Sequence, residues 1–213
     1  LMKRLKIAIV SDSYLPTVGG LEVHMHDLAH ELTLHGHEAH IICVTPGGPD
    51  REIFPVHRID APLLPRIGRV RNTQSFPVLE ELLRRGRYDL VHSHCIFSPL
   101  GHAAAYLAKK LQIPSVFTLH SVLRGLGGMA MRLIDQVYPW SSWPTVLTGV
   151  STFVADELRA VSGRQVQVLL NATRTEDWKL PRREEQRVVS VLRFSKRKRP
   201  LDLVHMVPKV LAR

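Results

Sequence analysis

The sequence has few cysteines and no long apolar run. Cys43 and Cys95 are the only cysteines among 213 residues, so a disulfide framework is excluded and a reducing compartment is expected. No run of about 18 apolar residues occurs, so we predict no transmembrane helix. The short apolar run near the N-terminus lacks a small-residue cleavage site, so we expect no signal peptide and a cytoplasmic location.

Acidic residues are scarce relative to basic ones. Lysine and arginine number 29 against 19 aspartates and glutamates, which gives a net charge of +10. This excess predicts an anionic partner. Arg66, Arg69 and Arg71 lie in a basic and apolar stretch, and we predict that they contact an anionic membrane surface, the alternative being a solvated face. No nucleic-acid-binding motif or aromatic stacking platform is visible, so nucleic acid is not a predicted partner.

The remaining composition is that of a globular protein, 45% hydrophobic and 23% charged, with strand and helix patterns in alternation. Predicted strands cover Leu5–Ser11, Glu38–Val44, Phe54–Ile59, Leu90–His94, Ser115–His120, Thr145–Val150 and Val166–Leu170. Predicted helices cover Leu21–His35, Val78–Arg85, Leu100–Lys110, Gly127–Val137 and Thr152–Val161. This alternation predicts an α/β fold with a doubly wound parallel sheet, similar to a Rossmann domain.

The domain organisation is predicted from a change in composition. Residues 1–172 form the first domain, and the polar residues 173–186 form a linker. After it we predict a strand at Arg187–Leu192 and a helix at Pro200–Leu211, which Pro208 would strain or end early. One strand and one helix cannot bury a core. Residues 187–213 are therefore interpreted as the start of an incomplete second domain.

Several candidate site residues follow predicted strands, where open parallel sheets bind ligands. Gly19 and Gly20 precede a helix and could let a ligand approach the backbone, although a plain turn is the alternative. His120 could bond a sugar hydroxyl or a phosphate, or serve a structural purpose. We interpret the i, i+2 spacing of His92 and His94 as placing their rings on opposite faces of the strand, so no metal site is predicted.

Other polar residues are ambiguous from the sequence alone. The histidines of the first helix are expected to lie mostly at the surface: His24, His26, His30 and His35. Arg193 and Lys198 follow the last predicted strand and could hold a diphosphate, since arginine offers a planar fork and lysine a point charge. The alternative for this pair is an exposed basic loop.

Motifs along nearly the whole chain resemble one known family. They are DSYLPTVGGLEVH at residues 12–24, GH at 36–37, YDLVHSH at 88–94, FTLHS at 117–121, VS at 150–151, LNA at 170–172 and VSVLR at 189–193, followed by Lys198. In this order they are similar to the retaining glycosyltransferases of family 4, which have the GT-B fold. The resemblance implies two Rossmann-like domains facing a cleft, with the acceptor on the first and most of the nucleotide sugar on the second.

The resemblance also implies residue roles. Gly19 and Gly20 match the glycine loop near the donor diphosphate and the acceptor. His120 matches the histidine that contacts the transferred sugar and is the predicted catalytic residue. Arg193 and Lys198 match the pair that neutralises the leaving diphosphate.

Further expectations follow from the same resemblance. His94 and Asn171 lie in matched motifs and are predicted to bind substrate. The implied reaction retains the anomeric configuration and uses a nucleotide-sugar donor, with no metal ion and no cofactor. The runs at 92–94 and 117–121 are most similar to the phosphatidylinositol glycan class A and phosphatidylinositol mannosyltransferase group, so the predicted acceptor is lipid-linked, such as phosphatidylinositol.

The incomplete second domain bears on the expected activity. A chain that ends at residue 213 is expected to have little or no transferase activity by itself. If the natural chain ends there, the alternative function is a non-catalytic module that binds a sugar or a nucleotide sugar.

Overall fold

Seven parallel strands form one sheet within the residues that the structure describes. The structure is a computed structural model that describes residues 3–47, 52–60, 75–94, 98–123, 125–171, 189–192, 194 and 198–211. The chain divides into two compact units, Leu1–Arg174 and Thr175–Arg213. The first unit contains the sheet.

Strands and helices alternate along the first unit. The strands are β1 (Lys6–Val10), β2 (Glu38–Cys43), β3 (Val56–Arg58), β4 (Leu90–His94), β5 (Ser115–Leu119), β6 (Thr145–Gly149) and β7 (Gln167–Val168). The helices are α1 (Gly20–Leu34), α2 (Ser75–Gly86), α3 (Pro99–Lys110), α4 (Leu126–Val137) and α5 (Thr152–Ser162), with a short 3-10 helix at Trp140–Ser142. The second unit contains α6 (Pro200–Leu211).

The strand order is β3-β2-β1-β4-β5-β6-β7, and every neighbouring pair is parallel. The chain builds outward from β1 in one direction through β2 and β3, and then in the other direction from β4 onward. The order therefore reverses between β1 and β4, which defines the topological switch point of a doubly wound sheet. The predicted fold class is confirmed.

Side-chain alternation in β1 explains why helices cover both faces of the sheet. Ile7 and Ile9 pack with Met25 of α1, whereas Ala8 and Val10 pack on the other face with α2 and α3. A strand whose residues are apolar on both faces needs cover on both sides. This alternation fixes which β4 side chains face α1, since His92 pairs in register with Ile9.

Hydroxyl caps determine where two helices begin. The Ser98 side chain accepts a hydrogen bond from the Gly101 N–H at the start of α3, and Ser151 accepts one from the Val154 N–H at the start of α5. Such caps satisfy backbone donors that the first helical turn leaves free. Both helices therefore start soon after the carboxyl ends of β4 and β6.

Some predicted boundaries were wrong. β3 is shorter than the predicted Phe54–Ile59, and β7 is shorter than Val166–Leu170. Of the predicted strand at 187–192, the described residues 189–192 form no strand, which is consistent with the absence of a pairing partner for them in the described part of the second unit. Helix α6 continues through Pro208 to Leu211, since losing one backbone N–H bond does not stop the following turn.

The described helices are too short to cross a bilayer. A membrane-spanning helix needs about 20 apolar residues, and α1, the longest helix among the described residues, has 15. In the described parts of the chain, no helix is both long enough and apolar enough to cross a membrane.

A second pair of histidines lies on β2 and β3, where His40 is buried and His57 is half-buried. His40 Nδ1 lies 2.9 Å from His57 Nε2 and 3.0 Å from the Tyr88 hydroxyl, and His40 Nε2 lies 3.1 Å from a Glu38 oxygen. Burial lowers the pKa of both histidines. The hydrogen bond to Glu38 opposes part of this effect at His40, whereas the charges of His40 and Lys6 lower the pKa of His57 further. Burial raises the pKa of Tyr88 to about 12, so its hydroxyl stays protonated at neutral pH.

This pair predicts a pH-dependent stability. Because the pKa of His40 and of His57 is lowered on folding, the unfolded chain binds more protons below pH 6.5. The contribution of the pair to the free energy of unfolding should therefore be constant above pH 6.5 and fall below it, by up to about 1.4 kcal/mol per pH unit for each excess proton. Urea denaturation at pH 7.5 and 5.5 measures this. His57→Gln should make the fall shallower, and an equally steep dependence in that variant would contradict the assignment.

Candidate functional site

The carboxyl ends of β1, β4 and β5 meet at the switch point. Open parallel sheets bind ligands in the crevice at this position. The loop after β1 leads to Gly20, the first residue of α1, while β4 ends at His94 and β5 is followed by His120. The topology therefore brings the predicted residues of three separate motifs to one edge.

Three histidine rings meet at this edge, and we call them the histidine cluster: His24, His94 and His120. His94 Nδ1 lies 2.9 Å from His120 Nε2. The ring centroid of His24 lies 5.8 Å from that of His94 and 5.3 Å from that of His120. The cluster thus joins the first turns of α1 to the ends of two neighbouring strands.

The opposite-face interpretation of His92 and His94 was wrong. Their ring centroids lie 4.1 Å apart, because alternate residues of a strand point to the same face. His92 Nε2 lies 2.7 Å from the Thr118 hydroxyl, which lies 2.7 Å from the Thr148 hydroxyl. A row of buried hydrogen bonds therefore holds His92 and extends across β4, β5 and β6. The His92 ring also packs against the His94 ring of the cluster.

Burial keeps these rings uncharged. Burial, followed by the charge of His24, lowers the pKa of His92 to about 3 and that of His120 to about 4. Burial lowers the pKa of His94 well below its ordinary value. At neutral pH these rings are neutral imidazoles, each able to donate one hydrogen bond and accept another.

Two cluster nitrogens are buried without a hydrogen-bond partner among the residues that the structure describes. They are His24 Nδ1 and His94 Nε2. A buried polar atom without a partner costs free energy, and in native proteins it calls for an explanation such as a ligand or an ordered water. The cluster therefore offers two nitrogens that no described residue hydrogen-bonds and that a ligand could use.

The loop after β1 is fixed to its surroundings by hydrogen bonds. The Asp12 N–H donates to Ser98 Oγ at 3.2 Å, and an Asp12 carboxylate oxygen accepts from the Leu100 N–H at 3.3 Å. Further along the loop, the Ser13 hydroxyl donates to the buried Glu22 carboxylate at 2.6 Å. These bonds tie the loop to α3 on one side and to α1 on the other.

The two glycines stand at the beginning of α1. Gly19 is the N-cap in extended conformation, and a Cβ added to Gly20 would have no heavy atom within 4 Å. Gly20 lies one helical turn before His24, so the two share a helix face. The glycines therefore open the backbone beside the histidine cluster.

The sequence also matches a known family over most of its length. The profile of Glycosyltransferase Family 4 matches residues 18–177. The chain belongs to Glycosyltransferase Family 4.

Two curated relatives of this family member have names that refer to lipids. The chain is 30% identical over 122 residues to a phosphatidylinositol N-acetylglucosaminyltransferase subunit of Homo sapiens, covering 54% of this chain and 25% of that protein. It is 30% identical over 142 residues to alpha-monoglucosyldiacylglycerol synthase of Acholeplasma laidlawii, covering 63% and 34%. The chain thus spans between a quarter and about a third of the length of these relatives.

Solved structures support the fold. A glycosyltransferase from Rickettsia africae matches with a TM-score of 0.60 at 18% identity, covering 84% of this chain and 46% of that chain. HepE of Anabaena, solved in complex with UDP and glucose, matches with a TM-score of 0.56 at 16% identity, covering 80% and 45%. The first unit accordingly has the Rossmann-like architecture found in GT-B enzymes.

The structure brings together some predicted residues of this family but not others. Gly20, His94 and His120 share one edge of the sheet, as described above. Asn171 is exposed beyond β7, which is two strands away from β5 and so about 10 Å from it. Lys198 is exposed in the second unit. Arg193 lies outside the described residues, and so do the three arginines that the sequence predicts to contact a membrane: Arg66, Arg69 and Arg71.

The sequence interpretation missed His24. We expected it at the surface with the other α1 histidines, yet it is 8% exposed. Its position four residues after Gly20, and so on the same helix face, is the partial signal that the sequence offers.

Proposed function

We propose that this chain is the acceptor-side part of a glycosyltransferase that moves a sugar from a nucleotide-sugar donor to a lipid-linked acceptor, such as phosphatidylinositol. The observation that carries the proposal is the histidine cluster at the switch point of a Glycosyltransferase Family 4 chain. Neutral, buried imidazoles with free nitrogens suit the recognition of uncharged hydroxyl groups.

The residues of the first unit have complementary roles in this proposal. His120 contacts the transferred sugar and is the catalytic residue. His94, whose Nδ1 is bonded to His120, fixes the orientation of that ring and binds substrate through Nε2. Gly19 and Gly20 let the donor diphosphate and the acceptor approach the start of α1, where free N–H groups favour an anion.

The donor chemistry is electrostatic. Arg193 and Lys198 bind the leaving diphosphate, whose negative charge grows as the glycosidic bond breaks. Asn171 is a further substrate-binding residue in this proposal. The reaction retains the anomeric configuration. It needs no metal ion, because the two cations stabilise the charge of the leaving diphosphate.

Two observations support a lipid-linked acceptor. The curated relatives named above include a phosphatidylinositol N-acetylglucosaminyltransferase subunit and a glucosyldiacylglycerol synthase. In addition, α4 exposes a row of apolar side chains at helical spacing: Leu126, Met129, Leu133 and Val137. This helix begins soon after His120, so acyl chains of an acceptor could lie against it while the headgroup reaches the cluster.

A transfer assay tests the proposal. The gene product that contains this chain is incubated with UDP-N-acetylglucosamine, UDP-glucose or GDP-mannose, together with phosphatidylinositol or diacylglycerol in detergent micelles. We expect one donor and one lipid to give a glycolipid and free nucleoside diphosphate. NMR of the product reports the anomeric configuration, and EDTA in the assay should not lower the rate.

The outcomes separate the alternatives. Binding of a nucleotide sugar without turnover for any acceptor would indicate a non-catalytic binding module. Transfer to water-soluble acceptors alone would contradict the lipid-linked acceptor while leaving the transferase in place.

Membrane contact is a separate prediction. Arg66, Arg69 and Arg71 should bind anionic lipid with about 1 kcal/mol each, so replacing all three with glutamine should weaken binding about 100-fold. Co-sedimentation with vesicles of phosphatidylcholine, with and without phosphatidylserine, measures this. Arg84→Gln with Arg85→Gln is the matched control, since those side chains pair with Glu80 and Glu81 on α2. Equal binding to neutral and acidic vesicles would contradict the prediction.

A further inference from the structure

The histidine cluster has the arrangement of a metal-binding site. One ring nitrogen from each of His24, His94 and His120 lies within 4.8 Å of the other two. Two of these rings are buried, and His120 is partly exposed at the end of β5. The unpartnered His24 Nδ1 and His94 Nε2 supply an independent sign that the cluster accepts a ligand.

The donor set selects the class of metal. Three imidazoles are borderline-soft ligands that suit Zn²⁺, Co²⁺, Ni²⁺ and Cu²⁺. Magnesium and calcium instead require oxygen ligands and would gain little from this cluster. The cluster thus discriminates against the divalent ions that nucleotides ordinarily carry.

The rings need to move little to bind such an ion. Tetrahedral zinc with Zn–N bonds of about 2.0 to 2.1 Å places its nitrogen ligands about 3.4 Å apart. The three nitrogens, within 4.8 Å of one another, must close by at most about 1.4 Å, which side-chain rotation supplies. His24 lies in the first turns of α1, His94 ends β4 and His120 directly follows β5, so regular elements position all three.

We propose that His24, His94 and His120 bind one transition-metal ion of the zinc class through three imidazole nitrogens, with a fourth position open to water. Binding of the ion is independent of the proposed function. The consequence for activity rests on that function: since His120 is there assigned to the transferred sugar, the bound ion competes for its ring and inhibits transfer.

The test uses Zn²⁺ and Co²⁺ with the 213-residue chain. Calorimetry should give one high-affinity zinc site per chain, and Co²⁺ should give the visible absorption bands of a four-coordinate ion. His24→Gln and His120→Gln should each weaken zinc binding by more than about 100-fold. A loss of this size is larger than the loss caused by substituting a residue that only contacts a metal ligand. Both variants keep His94, whose removal would open a cavity, and circular dichroism confirms folding.

Matched controls isolate the cluster. His35→Gln removes an exposed histidine at the end of the same helix and should leave zinc affinity unchanged. Magnesium at the same concentration should give no saturable binding. The inference is overturned if zinc does not saturate one site, or if it binds the His24 and His120 variants as tightly as the unaltered chain.

Activity provides a second, separable readout. Zinc at ten times its dissociation constant should lower glycosyl transfer about tenfold, as mass action requires. Zinc binding in a gene product that transfers no sugar would contradict the proposed function and leave the metal site standing. Transfer without any zinc binding would contradict the metal site and leave the proposed function standing.

Discussion

Replacing His120 with alanine is expected to lower kcat for glycosyl transfer by about 100- to 1,000-fold, the loss that follows removal of one preorganised hydrogen-bond group at a reacting centre. Within the proposed function, this ring contacts the sugar as its bond to the diphosphate breaks. Burial lowers the pKa of His120 to about 4, so the ring is already neutral at pH 7 and does not have to lose a proton before it binds the sugar. Steady-state kinetics on the gene product measures the effect.

The kinetic pattern distinguishes catalysis from simple binding. Losing an interaction that is formed only in the transition state lowers kcat and kcat/KM equally, whereas losing uniform binding raises KM at constant kcat. His120→Gln keeps a hydrogen-bonding group near the same position and should recover part of the loss. His35→Ala is the matched control on an exposed histidine. Unchanged turnover in His120→Ala, with the variant folded, would remove His120 from the reaction.

Much of the fold could be predicted because the spacing of apolar residues along this sequence matches the faces of the strands and helices that are buried. The run at β1 is apolar on both faces, a pattern that a parallel strand between two helical layers requires. Helix α3 begins at Pro99, after the Ser98 cap, within one residue of its predicted start. Such signals are local, so they can be recognised without knowledge of the tertiary structure.

The composition of the site could be predicted only in part. His94 and His120 end or follow strands, and a parallel topology brings such positions to one edge. His24 was missed because its burial depends on which face of α1 packs on the sheet, and that requires the three-dimensional arrangement. The spacing of His92 and His94 was misinterpreted, although the two-residue period of a strand already places them on one face.

Long-range pairing limited the prediction of the shortest elements. β7 has two residues and β3 has three, so their extent is decided by their neighbours β6 and β2 rather than by their own sequence. Strand propensity reflects packing against neighbours, and at a sheet edge only one neighbour is present. The predicted outer strands were accordingly too long, while the central strands were predicted to within one residue at each end.

Gly149→Ala is expected to lower the free energy of unfolding by about 3 kcal/mol or more, the upper end of the cost of overpacking. A Cβ at this position would lie 2.5 Å from the Ala155 nitrogen and 2.8 Å from its Cα. The clash is with backbone at the start of α5, so no side-chain rotation relieves it. Gly149 is also paired with Leu119 of β5 and Val168 of β7, which restrains the strand from moving away.

Gly20→Ala is the matched control because it adds the same methyl group at a position with no heavy atom within 4 Å. At a helix start with ordinary backbone angles, this change should alter stability by no more than about 1 kcal/mol. Urea denaturation followed by circular dichroism compares the two variants. Equal denaturation midpoints would contradict the steric argument.

The Gly149 substitution also connects stability to the site. Val150 donates its N–H to the Leu119 carbonyl at 3.2 Å, and Leu119 directly precedes His120. Displacing the end of β6 therefore moves the backbone that positions the His120 ring, whose bond to His94 spans only 2.9 Å. We expect any folded fraction of Gly149→Ala to bind Zn²⁺ more weakly than the unaltered chain, because a misplacement of about 1 Å suffices to disturb a preorganised site.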